Sequence, residues 1–251
     1  MNNYIKHIVE EFDFNAVNKQ KKNIAYKPAI DDMILNKILS IDRNKLYLYD
    51  KGTILTSEEL NYLKSRINSH EYGIFRIYEN NDLPKLVWIF VDIAGNNCDL
   101  NCIDVSRITN MSFLFKIYGK HFNGDISKWD VSNVTNMQAM FSDTDFNGDI
   151  SKWDVSNVIS MSNMFSGAKF NSNISKWDVS NVINMEGMFW DSKFNKNISE
   201  WNTSNVKNMR YMFGYTKFNH DISNWNVDKV VDKMMIFDEC PIEWYYRPKF
   251  K

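Results

Sequence analysis

The chain has 251 residues, 44 % of apolar types and 24 % charged, and 30 Lys+Arg against 31 Asp+Glu leave a formal charge of −1. That balance excludes a strongly basic nucleic-acid binder and an electrostatic membrane binder, since both depend on excess Lys and Arg. No stretch approaches the roughly 18–20 consecutive apolar residues that a membrane-spanning helix needs.

Residues 1–85 carry no repeat. Ile5, Ile8, Val9 and Phe12 fall at i, i+3, i+4 and i+7, which predicts a short amphipathic helix. Phe12, Phe14 and the basic run Lys19, Lys21 and Lys22 come next, and they are the candidate docking residues of an N-terminal helical segment or arm over 1–40. Pro28 separates a second helix near Asp31 to Ser40. Residues 41–98 read as an α+β capping region. Thr56-x-x-Glu59 is a capping box opening a helix with Leu60, Leu63 and Ile67 turned inward, and strand-like runs at Leu46–Tyr49 and Tyr72–Tyr78 flank it. The continuously apolar run Leu86–Ile93 reads as a buried strand and a natural first rung for a stack of repeats. Acids near the N-terminus (Glu10, Glu11) stand where a signal peptide needs apolar residues, and no lipidation Cys is present there. The expected location is therefore cytoplasmic or virion-associated, with the cell surface reached only by unconventional export.

From residue 99 to 238 the sequence repeats itself. Trp129, Trp153, Trp177, Trp201 and Trp225 recur every 24 residues, as do Phe122, Phe146, Phe170, Phe194 and Phe218. Ile126, Val134 and Met137 found columns with the same step, and Met140-Phe141 recurs as Met164-Phe165, Met188-Phe189 and Met212-Phe213. A degenerate earlier copy fits at Leu100, Ile103, Val105, Ile108, Met111 and Phe115, which makes six. A unit this short cannot bury its own apolar face and must stack on its neighbours. Alternation in Ile-Ser-x-Trp-Asp-Val predicts one extended segment, and Val-x-x-Met-x-x-Met-Phe predicts a helical turn. The Trp column is then structural core, each ring stabilising by at most about 4–6 kcal/mol. Asn columns at 123/147/171/195/219 and 133/157/181/205 suit turns and can ladder from one copy to the next. The expected fold class is α+β, a β-solenoid-like stack of about six coils with a small α+β N-terminal cap. Residues 239–251, with Trp244, Tyr245, Tyr246 and Phe250, supply an aromatic C-terminal cap.

The unit Trp-Asp-Val-Ser-Asn-Val-x-x-Met-x-x-Met-Phe resembles the BspA-type leucine-rich repeats of the DUF285 family, found in many bacterial surface proteins and mycoplasma lipoproteins. That resemblance covers roughly residues 99–238 and implies an adhesion or protein-interaction module with no catalytic residues. This chain departs from the common pattern in lacking a secretion signal or lipobox.

Other chemistry is weaker. Asp143-x-Asp145-x-Asn147-Gly148-Asp149 mimics a calcium loop, with Asp154 at its twelfth position. Phe146, Ile150 and Trp153 inside it are repeat core columns, and Gly167 and Lys169 replace the first two acids one copy later. No metal is therefore expected, and no cofactor. Cys98-x3-Cys102 has no second ligand pair and, with Cys240, reads as free thiols. His7, His70, His121 and His220 are scattered, and Asp130/154/178 beside Lys128/152/176 reads as a solvated charge ladder. Trp190, Tyr211 and Tyr215 break the consensus after Met-Phe, where neighbouring copies carry small groups, and they are the candidate binding residues. Packing beneath the Trp244–Phe250 tail is the competing explanation for them.

The function expected is a non-enzymatic protein-interaction or adhesion module. Its partner would be another protein or a surface glycan, with neither nucleic acid nor membrane insertion. A structural component of a particle such as a phage virion, docked by the N-terminal segment and bound to virion proteins, is the alternative. An enzyme with a site in residues 1–85 is a third reading.

Overall fold

The structure, a computed structural model, describes residues 28–41, 55–67, 69, 71, 73–116 and 120–250. The expected helix at Ile5–Phe12, the docking residues Phe12, Phe14, Lys19, Lys21 and Lys22, and the Leu46–Tyr49 strand lie outside the described residues.

Among the described residues three helices precede the repeats. Helix α1 (Pro28–Leu39) starts at the proline, as suits a residue with fixed φ and no N–H, and buries Ile30, Ile34 and Ile38 at successive i+4 steps. Helix α2 (Ser57–Ile67) opens on the expected capping box. The Thr56 N–H donates to Glu59 Oε2 at 2.7 Å, and the Glu59 N–H donates back to Thr56 Oγ1 at 3.2 Å. Leu63 and Ile67 are fully inside and Leu60 packs at the margin. Strand β1 is only Phe75–Arg76, much shorter than the expected Tyr72–Tyr78 run, and pairs in parallel with β2 (Ile103–Asp104) in the first repeat.

The run Leu86–Ile93 is not a strand. It lies inside helix α3 (Leu83–Ala94), with Pro84 in its first turn and Gly95 (φ 88) past its end. Leu83, Leu86, Val87, Phe90 and Val91 fall on one buried stripe at i, i+3, i+4, i+7 and i+8. Helices α1 and α2 both pack on α3. Two parallel residues of β1, rather than an apolar strand, therefore lead the cap into the repeats.

Among the described residues the repeats contain neither long strands nor helices. Ile-Ser-x-Trp closes a turn, the Trp153 N–H donating to the Ile150 carbonyl at 3.2 Å, and Val-x-x-Val closes a second, Val158 to Val155 at 2.9 Å. Side chains fix these turns in place of a strand. Asp149 Oδ1 accepts the Ser151 N–H at 2.9 Å and Asp154 Oδ1 accepts the Ser156 N–H at 3.0 Å. The expected helical turn at Met-x-x-Met-Phe is broken by left-handed residues. Phe113, Ala139, Asn163, Gly187, Tyr211 and Met235 form one column at φ 50–60°, and Asp143, Gly167, Asp191, Tyr215 and Glu239 a second at φ 49–65°. An α-helix cannot pass through such a residue.

Successive copies lie in register. Parallel bridges join Asn110 to Asn136, then Ser160, Asn184, Asn208 and Asp232. Phe115, Phe141, Phe165, Phe189, Phe213 and Phe237 stack with centroids 5.2–6.0 Å apart, and Phe122 to Phe218 stack at 6.0–6.3 Å. The Trp column is buried at 3–4 % exposure. Each indole N–H also finds an acceptor in the copy before: Trp129 on Leu100, Trp153 on Ile126, Trp177 on Ile150, Trp201 on Ile174 and Trp225 on Ile198, all at 2.9–3.2 Å. That bond accounts for Trp rather than Phe at this position. Both Asn columns ladder. Asn147, Asn171, Asn195 and Asn219 donate their N–H to the amide oxygen of the Asn 24 residues earlier, and Asn133, Asn157, Asn181 and Asn205 reach back to Ser carbonyls.

Both ends are finished by other chain. At the first repeat Asn80 Oδ1 accepts the Thr109 and Asn110 N–H groups at 3.0 and 3.2 Å. It replaces the carbonyl that Thr109 itself offers to Thr135 and Asn136 one copy later. At the last repeat the Ile222 N–H donates to the Tyr246 carbonyl at 2.9 Å, and Arg247 lies 5.1 Å over the Phe237 ring. Tyr246 and Phe250 pack against the core, whereas Trp244 and Tyr245 are exposed.

Candidate functional site

Two of the three consensus-breaking residues meet on the surface. Trp190 and Tyr215 meet edge to face with centroids 6.1 Å apart, and 39 % and 52 % of their surfaces stay exposed. The tail covers neither, since it lies over Phe237 and along Ile222. Local sequence builds the contact. In the Trp190 column the next copy carries Gly214, and the indole lies across it: a Cβ there would stand 3.0 Å from Trp190 Cδ1. Tyr215 is at φ 59°, in the column where Gly167 stands two copies earlier. Tyr211 is at φ 56°, in the column of Gly187. Holding a non-glycine residue in this region costs on the order of 1–2 kcal/mol. Both tyrosines thus occupy positions glycine fills more easily.

Tyr211 is half-buried beneath Arg210, whose guanidinium stands 4.8 Å over the ring and donates to the phenol oxygen at 3.3 Å. The Asp238 carboxylate, with some burial and a hydrogen bond, raises the Tyr215 hydroxyl above its ordinary pKa. That phenol is a neutral donor at physiological pH and is not poised as a base. Met234 and Met235, 43 % and 52 % exposed, continue the apolar surface into the last repeat. Sequence reasoning missed Arg210 and the two methionines. Their signal is position: Met235 succeeds Tyr211 in the left-handed column and Met234 succeeds Arg210 by one period.

The other candidates resolve into structure. In the calcium-like loop Asp145 pairs with Lys169 Nζ at 2.8 Å and His121 Nδ1 at 3.0 Å, and Asp143 pairs with Lys116 at 3.3 Å. Hydrogen bonds from Lys169 and His121 hold Asp145 below its ordinary pKa. Among the described residues no group of three His, Cys, Asp or Glu is placed to hold a metal ion. Asp130, Asp154 and Asp178 each cap a Ser N–H. The three cysteines are buried and unbridged. Burial pushes the Cys98 thiol up to about 12 and the Cys102 thiol higher still, so neither is a nucleophile at neutral pH.

The cap holds one buried ionic cluster. Arg66 donates to Asp31 at 3.3 Å and to Glu71 at 2.9 Å, Tyr62 donates to Asp31 at 3.0 Å, and Lys37 pairs with Glu59. Burial raises the Asp31 carboxyl against the opposing pull of Arg66 and Tyr62. Burial and then Asp31 raise the Tyr62 hydroxyl. These groups join α1 to α2 and bond mainly to one another, an arrangement that fastens helices. No helix among the described residues is long and apolar enough to cross a membrane.

Against known proteins, one family model matches, described as Mycoplasma protein of unknown function, DUF285, over residues 85–193 and again over 168–242. No curated protein and no solved structure matches.

Proposed function

We propose that the chain, which belongs to the DUF285 family, is a non-catalytic module of the BspA leucine-rich-repeat type, a solenoid-like stack that binds a protein through the surface of Trp190, Tyr211 and Tyr215. One observation carries the reading. A Trp–Tyr pair, 39 % and 52 % exposed, is held edge to face with Tyr215 at a left-handed position that costs stability, and neither ring belongs to the core. Rigid aromatic groups lose little entropy on binding and are enriched at interface centres. Arg210, stacked on Tyr211, adds a cation at the rim.

The test compares partner capture by the wild-type chain, by Trp190→Ser/Tyr215→Asp, and by Lys152→Ala in the charged column. Trp190→Ser restores the residue that the preceding copies carry at 142 and 166, and Asp stands at the Tyr215 position in two others, so both variants should melt as wild type. A partner held by wild type and by Lys152→Ala but lost from the double variant supports the surface. Undiminished capture by the double variant refutes it.

A further inference from the structure

The ladder between copies fixes which charges surround the Trp190–Tyr215 pair. The Asp191 N–H donates to the Gly214 carbonyl at 2.8 Å and the Tyr215 N–H to the Asp238 carbonyl at 2.7 Å. Trp190 and Asp191, Gly214 and Tyr215, and Asp238 and Glu239 are therefore three successive rungs. Tyr215 stands between exposed Asp191 in the copy before and exposed Glu239 in the copy after, all three in one left-handed column. Asp238, in the column of Trp190 and Gly214, accepts a hydrogen bond from the Tyr215 hydroxyl.

Earlier copies neutralise their acids on this side. Asp143 pairs with Lys116 at 3.3 Å, and Asp145 with Lys169 at 2.8 Å. Asp191 instead has Gly167 before it and Tyr215 after it in the column. Among the described residues no Lys or Arg forms an ion pair with Asp191, Asp238 or Glu239. The cations nearby are engaged elsewhere. Arg210 lies on the Tyr211 ring with Glu186 and Asp232 acting on its charge. Arg247 donates to the Ile242 carbonyl at 2.8 Å, and Lys233 lies 5.7 Å over Phe250. Exposed Lys193 and Lys217, on the following turn, pair with none of the three acids.

Rings inclined at 73° and partly exposed form a corner, and the π face of each attracts a cation. The neighbouring Tyr211 ring already holds a guanidinium at 4.8 Å, so a ring of this surface does accept one. We propose, on the reading that this surface binds a protein, that the Trp190–Tyr215 corner receives a lysine or arginine side chain from a basic segment of the partner. The cation lies against the two rings, and Asp191 and Glu239 in the flanking copies supply the opposite charge. Charge complementarity selects this occupant. An acidic segment would set carboxylate against carboxylate, and a wholly apolar one would leave three carboxylates beside the contact without a counter-charge.

The experiment titrates the full chain into three dye-labelled peptides, read by fluorescence anisotropy: Gly-Lys repeats, the same peptide with its lysines acetylated, and Gly-Glu repeats. The lysine peptide is expected to bind roughly fivefold or more tightly than either of the others. Trp190→Ser removes a ring and no charge. Asp191→Asn/Glu239→Gln removes charge and no ring, and should fold because Asn163 already stands at a left-handed position. Each variant should weaken the lysine peptide several-fold. Equal binding of the three peptides, or binding of none, overturns the proposal. So does a Trp190→Ser affinity equal to wild type, since carboxylates alone would then attract the peptide. A natural partner lost from Trp190→Ser/Tyr215→Asp while the three peptides bind alike would refute the cation and leave the partner surface standing. Undiminished partner capture by that double variant, with lysine-peptide binding still dependent on Trp190, would refute the partner surface alone.

Discussion

Trp177 sits at the centre of its column, 4 % exposed, with its indole N–H donating to the Ile150 carbonyl at 3.0 Å. Replacing it separates two contributions. Trp177→Phe keeps a ring but deletes the donor. The Ile150 carbonyl still accepts the Trp153 N–H, so no buried acceptor is orphaned and the hydrogen-bond cost should be about 1 kcal/mol. Trp177→Ala removes the ring and should cost about 3–5 kcal/mol from lost transfer energy and the cavity left behind. Urea unfolding followed by circular dichroism measures both. At roughly 2–4 °C per kcal/mol for a chain this size, the alanine variant should melt on the order of 6–20 °C lower. In a stack where each copy touches only its neighbours, a hole at the centre should also uncouple the halves, lowering the apparent m-value. The solvent-exposed control Lys176→Ala should change neither quantity. An alanine variant whose midpoint matches that control would refute the assignment of the Trp column to the core.

Asn80→Ala strips the acceptor from the Thr109 and Asn110 N–H groups and should destabilise by about 1 kcal/mol, read by the same urea titration; an unchanged midpoint would show that water replaces the cap without loss. Millimolar calcium should leave the melting temperature unchanged, because Asp143 and Asp145 already pair with lysines of adjacent copies; a rise abolished by Asp143→Asn would reverse that conclusion. Asp149 and Asp221 lie below their ordinary pKa chiefly because each accepts a Ser N–H. A depressed folded pKa contributes stability above the unfolded value of about 3.9 and loses it as pH falls through the folded value. Asn173 and Asn197 perform the same capping in the copies between them, so Asp149→Asn/Asp221→Asn should keep its stability at pH 7 and lose less on acidification to pH 2. An acid limb as steep as wild type, measured by thermal melts across pH, would refute the linkage.

The sequence was most legible where it repeats. Five tryptophans 24 residues apart need a translating environment, and the buried column is what that spacing demands. The Asn ladders were legible for the same reason. Local conformation was not. Alternation in Ile-Ser-x-Trp-Asp-Val has a strand's period, but Asx and Ser groups that cap backbone N–H within two residues favour turns. The left-handed columns were hidden because Ala139, Tyr211 and Met235 stand there as well as Gly187. Leu86–Ile93 is apolar throughout, so its period is ambiguous; Pro84 and Gly95, a helix length apart, were the discriminating signal. The Arg66–Asp31 pair links residues 35 apart that nothing local connects. Of the candidate site, the outlying aromatics were visible as breaks in the consensus. Their meeting was not, since it depends on Gly214 leaving room for an indole from the copy before.

The side-chain bonds that bind one copy to another run mostly backwards: indole to the previous Ile carbonyl, Asn amide to the previous Ser carbonyl. A nascent chain leaving the ribosome therefore finds each new copy's acceptors already in place, so the stack can be finished as it is synthesised. Shortening it is correspondingly asymmetric. Removing the last copy leaves the indole N–H groups of Trp129, Trp153, Trp177 and Trp201 bonded, whereas removing the first strips Trp129 of the Leu100 carbonyl that its donor requires. Copy number can thus grow or shrink at one terminus by whole 24-residue units, while the other terminus is committed to its helical cap.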